Sequence, residues 1–78
     1  MENLLTMDML SVGESARVIS LNITGEMRRR FCDLGLIEGT VIKCVGKSPL
    51  EDPSAYLIRG AVIALRCEDA REIVIKPV

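Results

Sequence analysis

The stretch TGEMRRRFCDLGLIEGTVIKCV, Thr24–Val45, holds a helix, its stop signal, a turn and a strand in unbroken succession. Thr24 is suited to cap a helix that begins at Gly25, and Glu26 places a carboxylate in the first turn, where the positive end of the helix dipole favours it. Met27, Phe31 and Leu34 recur at i, i+4 and i+7, a spacing that predicts one apolar stripe facing a core. Gly35 follows where a left-handed cap is wanted, and Leu36 beyond it can fold back on Phe31, so the helix is predicted to end at about Leu34. Ile37-Glu38-Gly39-Thr40 then reads as a turn, with Gly39 supplying a positive φ. In the strand Thr40–Val45 that follows, Ile42 and Cys44 share one face while Val41, Lys43 and Val45 share the other. The lysine marks the second face as the wetter one, which makes Cys44 a core residue.

On either side of this stretch the pattern is of short strands. Leu10–Glu14 reads as a lead-in and turn, and Ala16–Leu21 has the β-branched content and length of a strand. Ser48–Pro53 is a loop, because Pro49 and Pro53 cannot both sit inside a paired strand. Ala55–Ile58 and Ala61–Leu65 are separated only by Arg59-Gly60, the signature of a tight hairpin. Arg66–Glu72 is a polar or helical turn with Cys67 at its start, and Ile73–Lys76 is a last strand. About five strands with one inserted helix make the chain mainly β, and so few residues suggest a small closed or nearly closed barrel. The chain has 78 residues and no linker or repeat. A single domain, 1–78, is expected, with a small core, since a chain of this size buries only about 60% of its unfolded surface.

Composition excludes several function classes. Ten basic and eleven acidic residues leave a net charge of −1, which supplies no general field for phosphate backbones or anionic membrane. Phe31 and Tyr56 are the only aromatic residues, so stacking platforms for bases are scarce and no nucleic-acid partner is expected. The N-terminal MENLLTMDML carries Glu2 and Asp8 and has no basic leader, and the apolar run Ala61–Leu65 is too short to cross a bilayer. A soluble, cytoplasmic protein without direct membrane insertion is the expectation. Cys32, Cys44 and Cys67 are widely spaced and the chain has no histidine, which argues against a zinc site and for cysteines as small apolar fillers. Without histidine a serine or cysteine nucleophile lacks its usual base, and no phosphate-gripping glycine loop is present. Binding, not catalysis, is the expected activity, and no catalytic residue is assigned.

Charge clusters supply the candidate binding residues. At about 100° per residue, Arg28, Arg29 and Arg30 point in three directions and cannot act as one claw. Glu26 lies four residues before Arg30 and Asp33 four after Arg29, each placed for a helical ion pair, whereas Arg28 has no obvious local partner. The adjacent carboxylates Glu51 and Asp52 raise a metal question, but without a glycine-bearing calcium loop a plain turn fits them better.

The run Arg29–Thr40, then Pro49-Leu50-Glu51-Asp52-Pro53, then Arg59-Gly60 and Ala64-Leu65-Arg66 with Glu68 and Ala70, resembles the FeoA family, ferrous iron transport protein A. The pieces are short, but their order and spacing cover nearly the whole chain. The resemblance implies a Src-homology-3-like (SH3-like) barrel with an inserted helix. It also implies a non-enzymatic cytosolic accessory role beside the FeoB-type ferrous iron transporter. FeoA-like domains also occur at the end of metal-dependent repressors. No helix-turn-helix precedes this barrel, so the transport partner is the better match. Val12-Gly13 stands where the family usually carries Pro-Gly. Cys32 and Cys44 stand where it tends to place larger aliphatics, which favours packing over metal binding. On this basis Arg28, Arg29, Arg30, Lys47, Glu51 and Asp52 are the expected partner-binding residues, and no cofactor is expected. The alternative is a metal-responsive regulatory domain that binds divalent iron or another transition metal weakly.

Overall fold

The computed structural model describes residues 4–50 and 52–78. Along the chain come β1 (Leu5–Thr6), a 3-10 turn (Met7–Met9), β2 (Ser15–Leu21), α1 (Gly25–Asp33) and β3 (Val41–Lys47). They are followed by β4 (Ser54–Ile58), β5 (Ala61–Leu65), the helical turn α2 (Cys67–Ala70) and β6 (Ile73–Pro77). The strands form one sheet in the order β1-β6-β2-β3-β4-β5, every neighbouring pair antiparallel. Register shifts between Val18 and Ser20 and between Cys44 and Gly46 break the ladder at two places, and such bulges sharpen the twist that curls a sheet.

The two ends of the sheet, β1 and β5, do not pair with each other. The gap between them is bridged from the inside. Tyr56 on β4 and Met7 are both 0% exposed, and the Tyr56 hydroxyl donates to the Met7 carbonyl at 3.2 Å. The expected barrel is therefore nearly closed, with a sixth strand beyond the five anticipated. That strand and the 3-10 turn lie in a segment whose polar and apolar residues show no clear alternation. They are held by pairing with β6 and by the burial of Met7 and Leu10, which are long-range effects. Inward-facing Ala16, Val18, Ile42, Cys44, Ile58, Ile73 and Ile75 fill one core together with Phe31 and Leu36. Cys44 is 0% exposed, as its strand position predicts.

The expected stop of α1 is realised in full. Gly35 adopts φ +94°, the Leu36 N–H donates to Phe31 O at 2.9 Å and the Gly35 N–H to Cys32 O at 3.0 Å, which together make a Schellman cap. Its start differs from expectation, because Thr24 occupies the cap position in extended conformation without a side-chain capping bond. The predicted stripe also narrows to one residue. Phe31 is buried, whereas Met27 and Leu34 are 36% and 41% exposed. Only the middle member of the stripe reaches the core, and the residues at either end of it stay at the rim. The turn after it is stitched to β2, with the Gly39 N–H donating to Val18 O and the Val18 N–H to Thr40 O, both at 2.8 Å. The hairpin is as tight as the sequence indicates: Arg59 (φ 49°) and Gly60 (φ 85°) both take positive φ between the paired Ile58 and Ala61.

Burial, partly offset by the Ser54 hydrogen bond, pushes the Tyr56 phenol up from 10.0 to about 12. The unfolded chain gives up this proton near pH 10, while the folded protein keeps it until about 12. The stabilisation is thus complete below pH 10 and is lost between the two values, at about 1.4 kcal/mol per pH unit. Guanidinium unfolding at pH 9 to 11.5 should show this decline in the wild type and a shallower one in Tyr56→Phe. Identical slopes would refute it.

Candidate functional site

Two faces carry the residues that the sequence singles out. The first is α1. Arg28 has a partner after all: its Nη1 donates to the Leu21 carbonyl at 2.8 Å, which ties the helix to the end of β2. Sequence spacing could not reveal this bond, because acceptor and donor are seven residues apart across a chain reversal. Arg29 and Arg30 are exposed, and the two anticipated helical ion pairs are not closed. Among the described residues, neither Glu26 with Arg30 nor Arg29 with Asp33 makes salt-bridge contact. Exposed pairs of this kind gain roughly 0.3 to 0.5 kcal/mol, too little to fix two long side chains. Both guanidinium groups are therefore left available to a partner.

The second face is the loop between β3 and β4. Lys47 is exposed at the end of β3. Asp52 is engaged structurally: its N–H donates to Ser48 Oγ at 2.9 Å, and its Oδ1 accepts the Cys67 N–H at 2.9 Å, at the start of α2. This bond gives Asp52 a structural role at the start of α2. Glu51 lies outside the described residues. Among the described residues no group of three or more His, Cys, Asp or Glu side chains converges to hold a metal ion.

Between α1 and the hairpin lies a shallow depression, open to solvent and lined by Ile37, Glu38, Gly39, Thr40, Val41 and Arg59. Thr40 Oγ1 donates to the Gly35 carbonyl at 2.9 Å, and the Arg59 stem lies over Gly35 so closely that any Cβ there would meet its Cδ. Sequence reading passed over Arg59 as a turn residue. The signal was the Arg-Gly hairpin itself, since a two-residue turn with positive φ fixes where the arginine side chain projects. The depression holds no pairing of nucleophile and base, and what it offers is contact surface.

The FeoA domain model matches residues 5–77. The chain belongs to the FeoA family. This FeoA domain is 34% identical over 64 residues to the Fe(2+) transport protein A/Fe(2+) transporter FeoB fusion protein of Porphyromonas gingivalis. That alignment takes in 82% of the present chain and 8% of the relative, so the chain spans only a small part of that protein's length. The solution structure of the FeoA protein from Chlorobium tepidum shares 30% identity and a TM-score of 0.90, covering 95% of this chain and 70% of that one. FeoA of Stenotrophomonas maltophilia, solved with zinc and described as a prokaryotic SH3 domain protein, shares 26% identity and a TM-score of 0.81 over 92% of this chain and 89% of its own. The fold of the present FeoA domain is accordingly SH3-like. No helix among its described residues is long and apolar enough to cross a membrane.

Proposed function

We propose that this FeoA domain is a non-enzymatic cytosolic accessory module of ferrous iron uptake, which docks on a FeoB-type transporter and regulates it. The observation that carries this is the P. gingivalis relative, in which a matching segment is joined in one polypeptide to the transporter. Such covalent linkage raises the effective concentration of one module at the other, which is useful only where the two act together. The surface agrees with a docking role: exposed arginines and an open depression, with the apolar interior consumed by packing.

Capture of the FeoB-type transporter from detergent-solubilised native membranes on immobilised wild-type domain tests the docking, and radioactive iron uptake with and without the domain tests the regulation. Among the expected contact residues, Arg29 and Arg30 are the informative pair, because Arg28 is committed to the Leu21 carbonyl and Asp52 to the Cys67 amide. Arg29→Glu/Arg30→Glu is expected to lower capture at least tenfold, about 1.4 kcal/mol, with an unchanged circular dichroism spectrum. Undiminished capture would remove the helix from the docking surface.

The zinc-bound S. maltophilia structure favours testing a second reading, that of a metal-responsive regulatory domain. Anaerobic calorimetric titration with Fe²⁺ separates the two: stoichiometric heat indicates sensing, and its absence leaves docking.

A further inference from the structure

Charge is segregated between the strands and the rest of the chain. Among the described residues every Asp and Glu lies in a helix, a turn or a loop. The only charged residues in strands are Arg17 on β2, Lys43 and Lys47 on β3 and Lys76 on β6, all basic. Arg17, Lys43 and Lys76 are exposed and alternate with buried Ala16, Val18, Ile42, Cys44 and Ile75, so all three project from the outer face of the sheet.

The register arranges them in two rows. Lys76, Arg17 and Val41 lie side by side across β6, β2 and β3. Ser15, Lys43, Leu57 and Val62 form the next row across β2, β3, β4 and β5. With neighbouring strands about 4.8 Å apart and alternate residues about 6.8 Å apart, the three cations fall within roughly 12 Å of one another. Val41, Leu57 and Val62 continue the same face at 48%, 37% and 66% exposure. The face thus grades from cationic at β6 and β2 to apolar at β4 and β5. Placing Arg17 directly opposite Lys76 is destabilising in itself, since like charges across a strand pair repel. Arg17 and Lys43 make no salt bridge to an acidic side chain among the described residues.

We propose that this outer face is a docking site for an acidic amphipathic peptide segment of the partner protein. The segment's carboxylates would sit on Arg17 and Lys43 and its apolar side chains on Leu57 and Val62. Charge complementarity selects the occupant. An anionic membrane is the weaker fit, because leaflet-binding proteins present clusters of about four to eight Lys/Arg and this chain has a net charge of −1. The proposal rests on the docking reading above only for the partner's identity, since it is the chemistry of the segment that the face recognises.

The probe is a fluorescein-labelled 18-residue peptide with Glu on one helical face and Leu on the other, titrated with the full chain and followed by anisotropy. A Lys/Leu peptide and phosphatidylserine vesicles serve as comparisons. The wild type should bind the Glu/Leu peptide, lose affinity between 50 and 500 mM NaCl and ignore the Lys/Leu peptide. Arg17→Glu/Lys43→Glu should bind at least tenfold more weakly while its Tm stays the same or rises, because the carboxylate introduced on β2 would then oppose Lys76. The same double variant should also fail to capture the transporter from membranes. Absent peptide binding, equal binding by the double variant, preferential binding of vesicles, or undiminished capture by the double variant would each overturn the proposal. Peptide recognition without capture of any transporter by the wild type would overturn the docking reading instead and leave recognition of acidic segments standing.

Discussion

Met7→Ala should lower the Tm by about 8 to 40 °C, measured by differential scanning calorimetry. Truncating a buried methionine to alanine costs about 2 to 5 kcal/mol, and each kcal/mol moves the midpoint of a domain this small by about 4 to 8 °C. Two features put Met7 toward the upper part of that range. The side chain is 0% exposed. It also stands at the gap between β1 and β5, where no strand pairing can take up the slack. A shift below 3 °C would show that the N-terminal arm is a passive flap and that the barrel is held shut by other contacts.

Gly35→Val is the second large effect, expected to cost about 2 to 4 kcal/mol. At φ +94° a side chain meets the following carbonyl, at about 1 to 2 kcal/mol for an L-residue and more for a β-branched one. The new Cβ also intrudes on Arg59, whose Cγ would lie only 3.0 Å away, inside van der Waals contact. The two contributions can be separated. Arg59→Ala in the same chain should recover the part due to overlap and leave the part due to backbone strain, as read from urea midpoints of the single and double variants. Complete recovery would mean that Gly35 is required for space alone, and no recovery would mean that it is required for φ alone.

Much of this architecture was legible in the residues because it is locally encoded. The Schellman cap at Gly35, the turn at Gly39, the Arg59-Gly60 hairpin and the burial of Cys44 against exposed Lys43 follow from φ requirements and a period of two. What escaped notice depends on contacts distant in sequence. β1 exists through its pairing with β6, and Arg28 is explained by a carbonyl on β2. Met27 and Leu34 mislead because helical periodicity shows which residues share a face without showing how much of that face is covered. The helical ion pairs failed for an energetic reason, since correct spacing permits an exposed pair and its small gain does not enforce it. As for the candidate site, sequence supplied its charged residues on α1. The outer sheet face became visible only with the register, because Arg17, Lys43 and Lys76 are scattered through the chain and meet only once β6, β2 and β3 lie side by side.

Pairing of the first strand with the last, Leu5 opposite Ile75 and Thr6 opposite Val74, has a bearing on how the domain can be mounted. Incoming and outgoing backbone run antiparallel about 5 Å apart, so both leave the body at a single spot. A domain built this way can hang like a pendant from a longer polypeptide, or be spliced into the middle of one, without forcing the flanking segments apart.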